Sequence, residues 1–124
     1  TELNESNYDH SIDLLNRAYE SDPSRVPFYE TMILFCHLGK NDWLSANQTV
    51  DRCMRKNDHS RFHAFKAVIL AYEGKIEESQ HWLKKYQENR PEIKTLKDYE
   101  NVVPEINQKV KEILLNGMKK AGLE

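Results

Sequence analysis

Residues 72–91 read "YEGKIEESQHWLKKYQENRP", and the single glycine in this stretch decides how the chain folds. On both sides of Gly74 the residues follow an amphipathic helical pattern. A glycine inside a helix costs on the order of 1 kcal/mol relative to alanine, which argues against one continuous helix. Glycine is at ease in the left-handed conformation that ends a helix, and Lys75 leads into a new one. The stretch therefore predicts a helical hairpin that turns at Gly74 and closes at Pro91.

The hairpin recurs upstream. Pro91, Asp58 and Pro23 each close an amphipathic segment, at spacings of 33 and 35 residues. Before them lie three stripes with one spacing of three, four and three residues. These are Ile76, Ser79, Leu83 and Tyr86; Trp43, Ala46, Val50 and Cys53; and Tyr8, Ser11, Leu15 and Ala18. Such a stripe is the face of a helix packed on one side. The partner segments "VPFYETMILFCHLGK" and "RFHAFKAVILAYEGK" both end in Gly-Lys, which sets Gly39 against Gly74. Phe28, Met32 and Phe35 line the first of them, and His63, Ala67 and Leu70 the second. The expected helices are 7–21, 25–38, 43–56, 60–73, 76–89 and 104–120, with a short extra helix around Lys94 to Val103. Pro104 suits a first helical turn, and Val110, Ile113, Leu114 and Met118 continue a stripe begun at Ile106.

A period of about 34 residues with these features resembles the tetratricopeptide repeat. Gly39 and Gly74 match its turn glycine, Ala46 and Ser79 its small residue, Cys53 the later small position, and Pro23 and Pro91 the closing proline. Asp58, Tyr86 and His63 depart from the pattern, and "GKNDW" carries two extra residues in the turn. The resemblance implies one all-α domain over 1–124, a helical-hairpin solenoid with a C-terminal capping helix. Its parts are helix 7–21 from a truncated repeat, repeats 25–58 and 60–92, and a linker with capping helix over 93–124. The ending "LLNGMKKAGLE" resembles tetratricopeptide regions at the C-termini of bacterial adenylate/guanylate cyclase-like proteins and winged-helix transcriptional regulators. Gly117, Lys120, Ala121, Gly122, Leu123 and Glu124 carry that likeness. It implies a regulatory module excised from a longer signalling protein, and a start at Thr1 within a half-repeat fits this.

Composition agrees with a helical domain. Of the 124 residues 39% are hydrophobic and 31% charged, with 4 Gly and 4 Pro, which suits one domain with its own core. The net charge of −2 divides into −6 over residues 1–51 and +4 over 52–124. The basic half interleaves its cations with glutamates, so it reads as a solvated helical surface rather than a nucleic-acid site. No apolar run reaches membrane-spanning length. Cys36 and Cys53 sit in apolar patterns as buried thiols, which fits a reducing, cytoplasmic setting.

Candidate chemistry is thin. His59 and His63 lie four apart, but no adjacent glutamate or cysteine cluster completes a metal motif. Cys36 and His37 pair on paper as nucleophile and base, yet neighbours on a helix diverge by about 100°. Trp43, Trp82 and Tyr86 read as packing residues rather than stacking platforms for bases. No Gly-rich phosphate loop occurs. The expected role is therefore protein binding without catalysis, metal or cofactor.

In a solenoid of this class the first helix of each hairpin lines the concave wall. The resemblance thus nominates Tyr29, Ile33 and His37 in one repeat, and Arg61, Ala64, Phe65, Val68 and Tyr72 in the next. The set suits an apolar peptide or amphipathic helix, unless the capping segment folds back over it. Chaperone-type carboxylate clamps need lysine and asparagine at places held here by Tyr29, Ile33, Ala64 and Val68. The alternative is a homodimer through the face of the first helix, Tyr8, Ile12, Leu15 and Tyr19, whose own partner helix is missing from the chain.

Overall fold

The computed structural model describes residues 5–21, 26–104 and 107–124, leaving aside the side chains of 5, 6 and 26–28. Every regular element among these residues is an α-helix. They are α1 (Glu5–Ser21), α2 (Val26–Gly39), α3 (Trp43–Lys56), α4 (Ser60–Tyr72), α5 (Ile76–Asn89), α6 (Leu96–Val102) and α7 (Gln108–Lys120). Pro23, Ile106 and the Phe28 side chain lie outside the described residues. The chain divides into two compact units, Thr1–Asp58 and His59–Glu124.

In the first unit α2 packs against both α1 and α3. Leu34 and Leu38 of α2 are fully buried, as are Ala46 and Val50 of α3. One carboxylate joins this core: Glu30 is buried and bridges to Lys56 at 2.5 Å, with the Cys53 sulfur 3.8 Å away. Asp42 caps α3 by accepting the Ser45 N–H at 3.2 Å, and Thr49 donates back to the Ser45 carbonyl at 2.8 Å.

The turn between α2 and α3 departs from expectation. Gly39 is the last helical residue of α2, and the left-handed position is taken by Asn41, at φ 59°. Two backbone bonds close this turn, Asn41 N–H to the Leu38 carbonyl and Asp42 N–H to the His37 carbonyl. That pair defines a Schellman motif, with asparagine as the usual substitute for glycine. The glycine at 39 answers a different need: a Cβ there would stand 2.3 Å from Cζ of Tyr8. The α1–α2 contact requires a bare backbone at this point.

In the second unit α4 is enclosed by α5 on one side and α7 on another. Phe62 to Phe65 and Ala67 to Ala71 are all buried, as befits a helix apolar around most of its circumference. The α4–α5 turn repeats the Schellman pair, Gly74 N–H to the Ala71 carbonyl and Lys75 N–H to that of Leu70, with Gly74 at φ 81°. So Gly74 corresponds to Asn41, and the two turns, 40–42 and 73–75, are equal in length with no extra residues in the first. Within α5, Ser79, Leu83 and Tyr86 are buried as the stripe predicts, whereas Ile76 is 39% exposed. The Ser79 hydroxyl donates to the Ala67 carbonyl at 2.6 Å, tying the two helices.

A capping box starts α6, with Thr95 and Asp98 bonding reciprocally to each other's backbone N–H. The last helix begins later than Pro104 suggests. Asn107 is its N-cap, accepting the Val110 N–H at 2.8 Å, so Pro104 precedes the helix instead of opening it. Gly117 sits directly on α4, where a Cβ would meet Cγ1 of Val68 at 2.4 Å. A third Schellman pair ends α7, Gly122 N–H to Lys119 and Leu123 N–H to Met118, with Gly122 at φ 113° and Leu123 buried.

Candidate functional site

Three helix ends of the second unit converge on one cleft. At the start of α4, His59 adopts an extended backbone and its Nδ1 accepts the Arg61 N–H at 3.2 Å, which caps the helix. At the end of α5, the Arg90 N–H donates to the Tyr86 carbonyl at 2.9 Å, which sends the arginine off the helix. The capping box then turns α6 so that Tyr99 is buried, with its ring edge-on to Tyr86 at 6.0 Å and 89°. Between them opens a cleft of about 200 Å³. Its lining comprises the apolar Ala64, Phe65, Tyr86, Tyr99, Val102 and Pro104 together with His59 and the charged Arg61 and Arg90.

The electrostatics of this cleft follow from its arginines. The Arg61 guanidinium stands 4.8 Å from the centre of the Phe62 ring, and Arg90 bonds through Nε to Glu92 at 2.6 Å. Burial lowers the His59 pKa below its ordinary value, and the charges of Arg61, Arg90 and His63 lower it further. The histidine is therefore neutral at pH 7, and the positive field belongs to the arginines. Burial pushes the Tyr99 phenol up, so it stays a neutral donor. Its hydroxyl has no hydrogen-bond partner among the described residues, a situation that costs about 1–3 kcal/mol. A second, open depression is lined by Tyr72, Asn116, Lys119 and Lys120, with the Lys120 ammonium 5.6 Å from the Tyr72 ring centre.

The residues nominated from sequence fall into different places. Ile33, Ala64, Phe65 and Val68 are buried, the last beneath Gly117, so α7 occupies much of the α4 face that was to form an open wall. Tyr72 is half-buried and donates its hydroxyl to the Ile113 carbonyl of α7 at 3.2 Å. Tyr29 and His37 are half-buried and Arg61 is exposed. Of the eight, Arg61, Ala64 and Phe65 meet in the cleft. On α1, Tyr8 is spent against Gly39, while Ile12, Leu15 and Tyr19 are half-buried, with the Lys56 ammonium 5.9 Å from the Tyr19 ring centre.

The remaining sequence candidates acquire local roles. His59 is a helix cap, and the His63 ring lies 5.5 Å from that of Trp82. No group of His, Cys, Asp and Glu able to hold a metal occurs among the described residues. Burial pushes the Cys36 thiol up to about 11, against the pull of Lys40, and burial lowers the neighbouring His37. Both are neutral near pH 7, the opposite of an activated thiolate–imidazolium pair. Cys53 also rises to about 11, through burial and then the Glu30 carboxylate. Both cysteines are free, and no described helix is long and apolar enough to cross a membrane.

Comparison with protein-family models, with curated proteins and with solved structures yields no match to this chain. The cleft residues that sequence reasoning passed over include Arg90, Tyr99 and Val102. The signal for the two on α6 was the capping box at Thr95 and Asp98, which marks that helix and thereby gives Tyr99 a place to be buried.

Proposed function

We propose that this chain is a tetratricopeptide-like helical-hairpin solenoid that binds another protein and performs no catalysis. The observation that carries the reading is the repetition in its turns. Asn41 and Gly74, 33 residues apart, close their helices with the same two backbone bonds. Ala46 and Ser79, 33 residues apart as well, fill fully buried small-residue slots in the helices that follow. Repeats of this kind present surfaces to partners, and function on such a scaffold resides in what the surface displays. By the likeness of its ending, the chain is the C-terminal regulatory part of a larger bacterial signalling protein, cyclase-like or a transcriptional regulator. Gly122 and Leu123 of that ending also stop α7, so the motif has a structural use whatever precedes it.

The test is a capture experiment followed by a quantitative one. A protein retained by the immobilised chain is identified, purified and titrated against it by calorimetry. Saturable binding near one-to-one supports the reading. Turnover of that protein by the chain, or no saturable binding to anything captured, overturns it. Sedimentation at rising concentration covers the other arm, since a tight homodimer with no foreign partner favours self-association.

A further inference from the structure

We propose that the cleft between the ends of α4, α5 and α6 docks an acidic–aromatic segment of a partner protein. One apolar side chain packs in the cleft against Val102 and Pro104, over the nearly buried edges of Phe65, Tyr86 and Tyr99, and a neighbouring carboxylate sits on Arg61 and Arg90. The inference rests on the reading of the chain as a protein-binding domain.

Size points to a side chain. At about 200 Å³ the cleft is smaller than the roughly 300–1,000 Å³ of sites for drug-sized molecules and cofactors. Apart from His59 and the two arginines its lining is aromatic and aliphatic, and Val102, 42% exposed, offers the open apolar surface. A buried anchor surrounded by such contacts is how a peptide gains most of its affinity.

Charge points to a carboxylate. Arg61 and Arg90 both line the cleft, and both act on His59, where their combined field helps hold the imidazole neutral. Planar guanidinium groups match carboxylates in geometry as well as sign. Glu92 already demonstrates the pairing, since its carboxylate bonds to Nε of Arg90 at 2.6 Å from an exposed position. An incoming carboxylate competes with Glu92, which makes Glu92 an internal rival of the ligand.

The experiment uses three acetylated, amidated probe peptides: Gly-Ser-Phe-Glu-Glu-Ser-Gly, the same with both Glu replaced by Gln, and the same with Phe replaced by Ala. Backbone amide signals of the chain are followed by NMR during titration. The first peptide is expected to shift Arg61, Tyr99 and Val102, and each altered peptide to bind roughly tenfold more weakly. The double variant Arg61→Gln with Arg90→Gln should lose at least that factor. Glu92→Gln should tighten binding, a gain that a merely structural role of this surface residue does not produce. Thermal midpoints of all variants are compared with the parent, because Arg61 is exposed and Arg90 half-buried, and their replacement by Gln should leave the fold intact.

Shifts that scatter over the chain, equal binding of the three peptides, or no gain from Glu92→Gln overturn the proposal. So does an oligouridylate that shifts the same signals more strongly than the acidic peptide, which assigns the cleft to nucleic acid. If the captured partner binds the double-arginine variant as tightly as the parent, the cleft assignment fails while the protein-binding reading stands. If no protein is captured at all, the broader reading fails first.

Discussion

Gly117→Ala sets two opposed effects of known size against each other. Within an isolated helix the change is favourable by about 1 kcal/mol, because alanine is the better helix former. Here the new Cβ would stand 2.4 Å from Cγ1, 2.9 Å from Cβ and 3.1 Å from Cα of Val68. Carbon atoms pack at about 3.5–4.0 Å, so the deficit exceeds what a rotamer change absorbs. Valine is stiff about χ1, and two of the three atoms are fixed to the α4 backbone. The helices must therefore separate, at the usual overpacking cost of about 1–3 kcal/mol or somewhat more for so short a contact. The net expectation is a destabilisation of about 1–2 kcal/mol, read from urea unfolding followed by circular dichroism. A double-mutant cycle with Val68→Ala adds a second check. Removing Cγ1 relieves only the closest contact, so the cycle should show a coupling of about 1 kcal/mol in the direction of rescue. A Gly117→Ala variant that is more stable than the parent by the propensity difference refutes the α4–α7 contact, and with it the covering of Val68.

Leu83→Ala should cost about 2–5 kcal/mol, since Leu83 is 7% exposed in the centre of the α5 stripe; an unchanged unfolding midpoint would remove it from the core. Cys36 and Cys53, both raised to about 11 by burial, should resist thiol reagents at pH 7.5 until the chain is denatured, and fast native labelling of either would contradict that burial. Asp98 has its pKa lowered by the N–H groups of Lys94 and then Thr95, which its Oδ2 accepts at 2.9 and 3.0 Å. A depressed carboxylate stabilises the folded state above its unfolded pKa of about 3.9 and loses that contribution as pH falls through its folded value. Protection of the α6 amides, taken relative to their intrinsic exchange at each pH, should therefore fall in acid below about pH 4, and should fall less in Asp98→Asn; an equal loss of protection in the two would refute the role of the capping box.

The helices were easy to read from sequence and the cleft was not, for one physical reason. Periodic stripes report a helix directly, so 43–56 and 76–89 fall on α3 and α5 as expected. A stripe does not report what lies on the other side of the helix it faces. Ala64 and Val68 look available as long as α7 is not yet placed, and Gly117 is the residue that reveals how closely it comes. Its meaning is hidden in the sequence because glycine has several uses. Gly74 serves a left-handed turn with nothing within 4 Å, Gly39 serves a close approach to Tyr8, and matching the two by their common Gly-Lys misplaced the turn that Asn41 in fact makes. Arg90 and Tyr99 join the cleft only because the segment between α5 and α6 folds back, a long-range event with no local period.

The ion pair of Glu30 and Lys56 has a consequence for how this sequence can change over time. Its two members are unequal: the glutamate side chain is 8% exposed and the lysine 46%. If the lysine is lost first, a carboxylate is left in the α2–α3 core with the thiol of Cys53 at 3.8 Å as a poor substitute, and uncompensated buried charge is strongly destabilising. If the glutamate is lost first, the lysine turns outward to water at little cost. Descent from this pair to an apolar one therefore runs in one direction, through position 30 before position 56, and chains that carry lysine at 56 opposite an apolar residue at 30 are the intermediates such a lineage leaves behind.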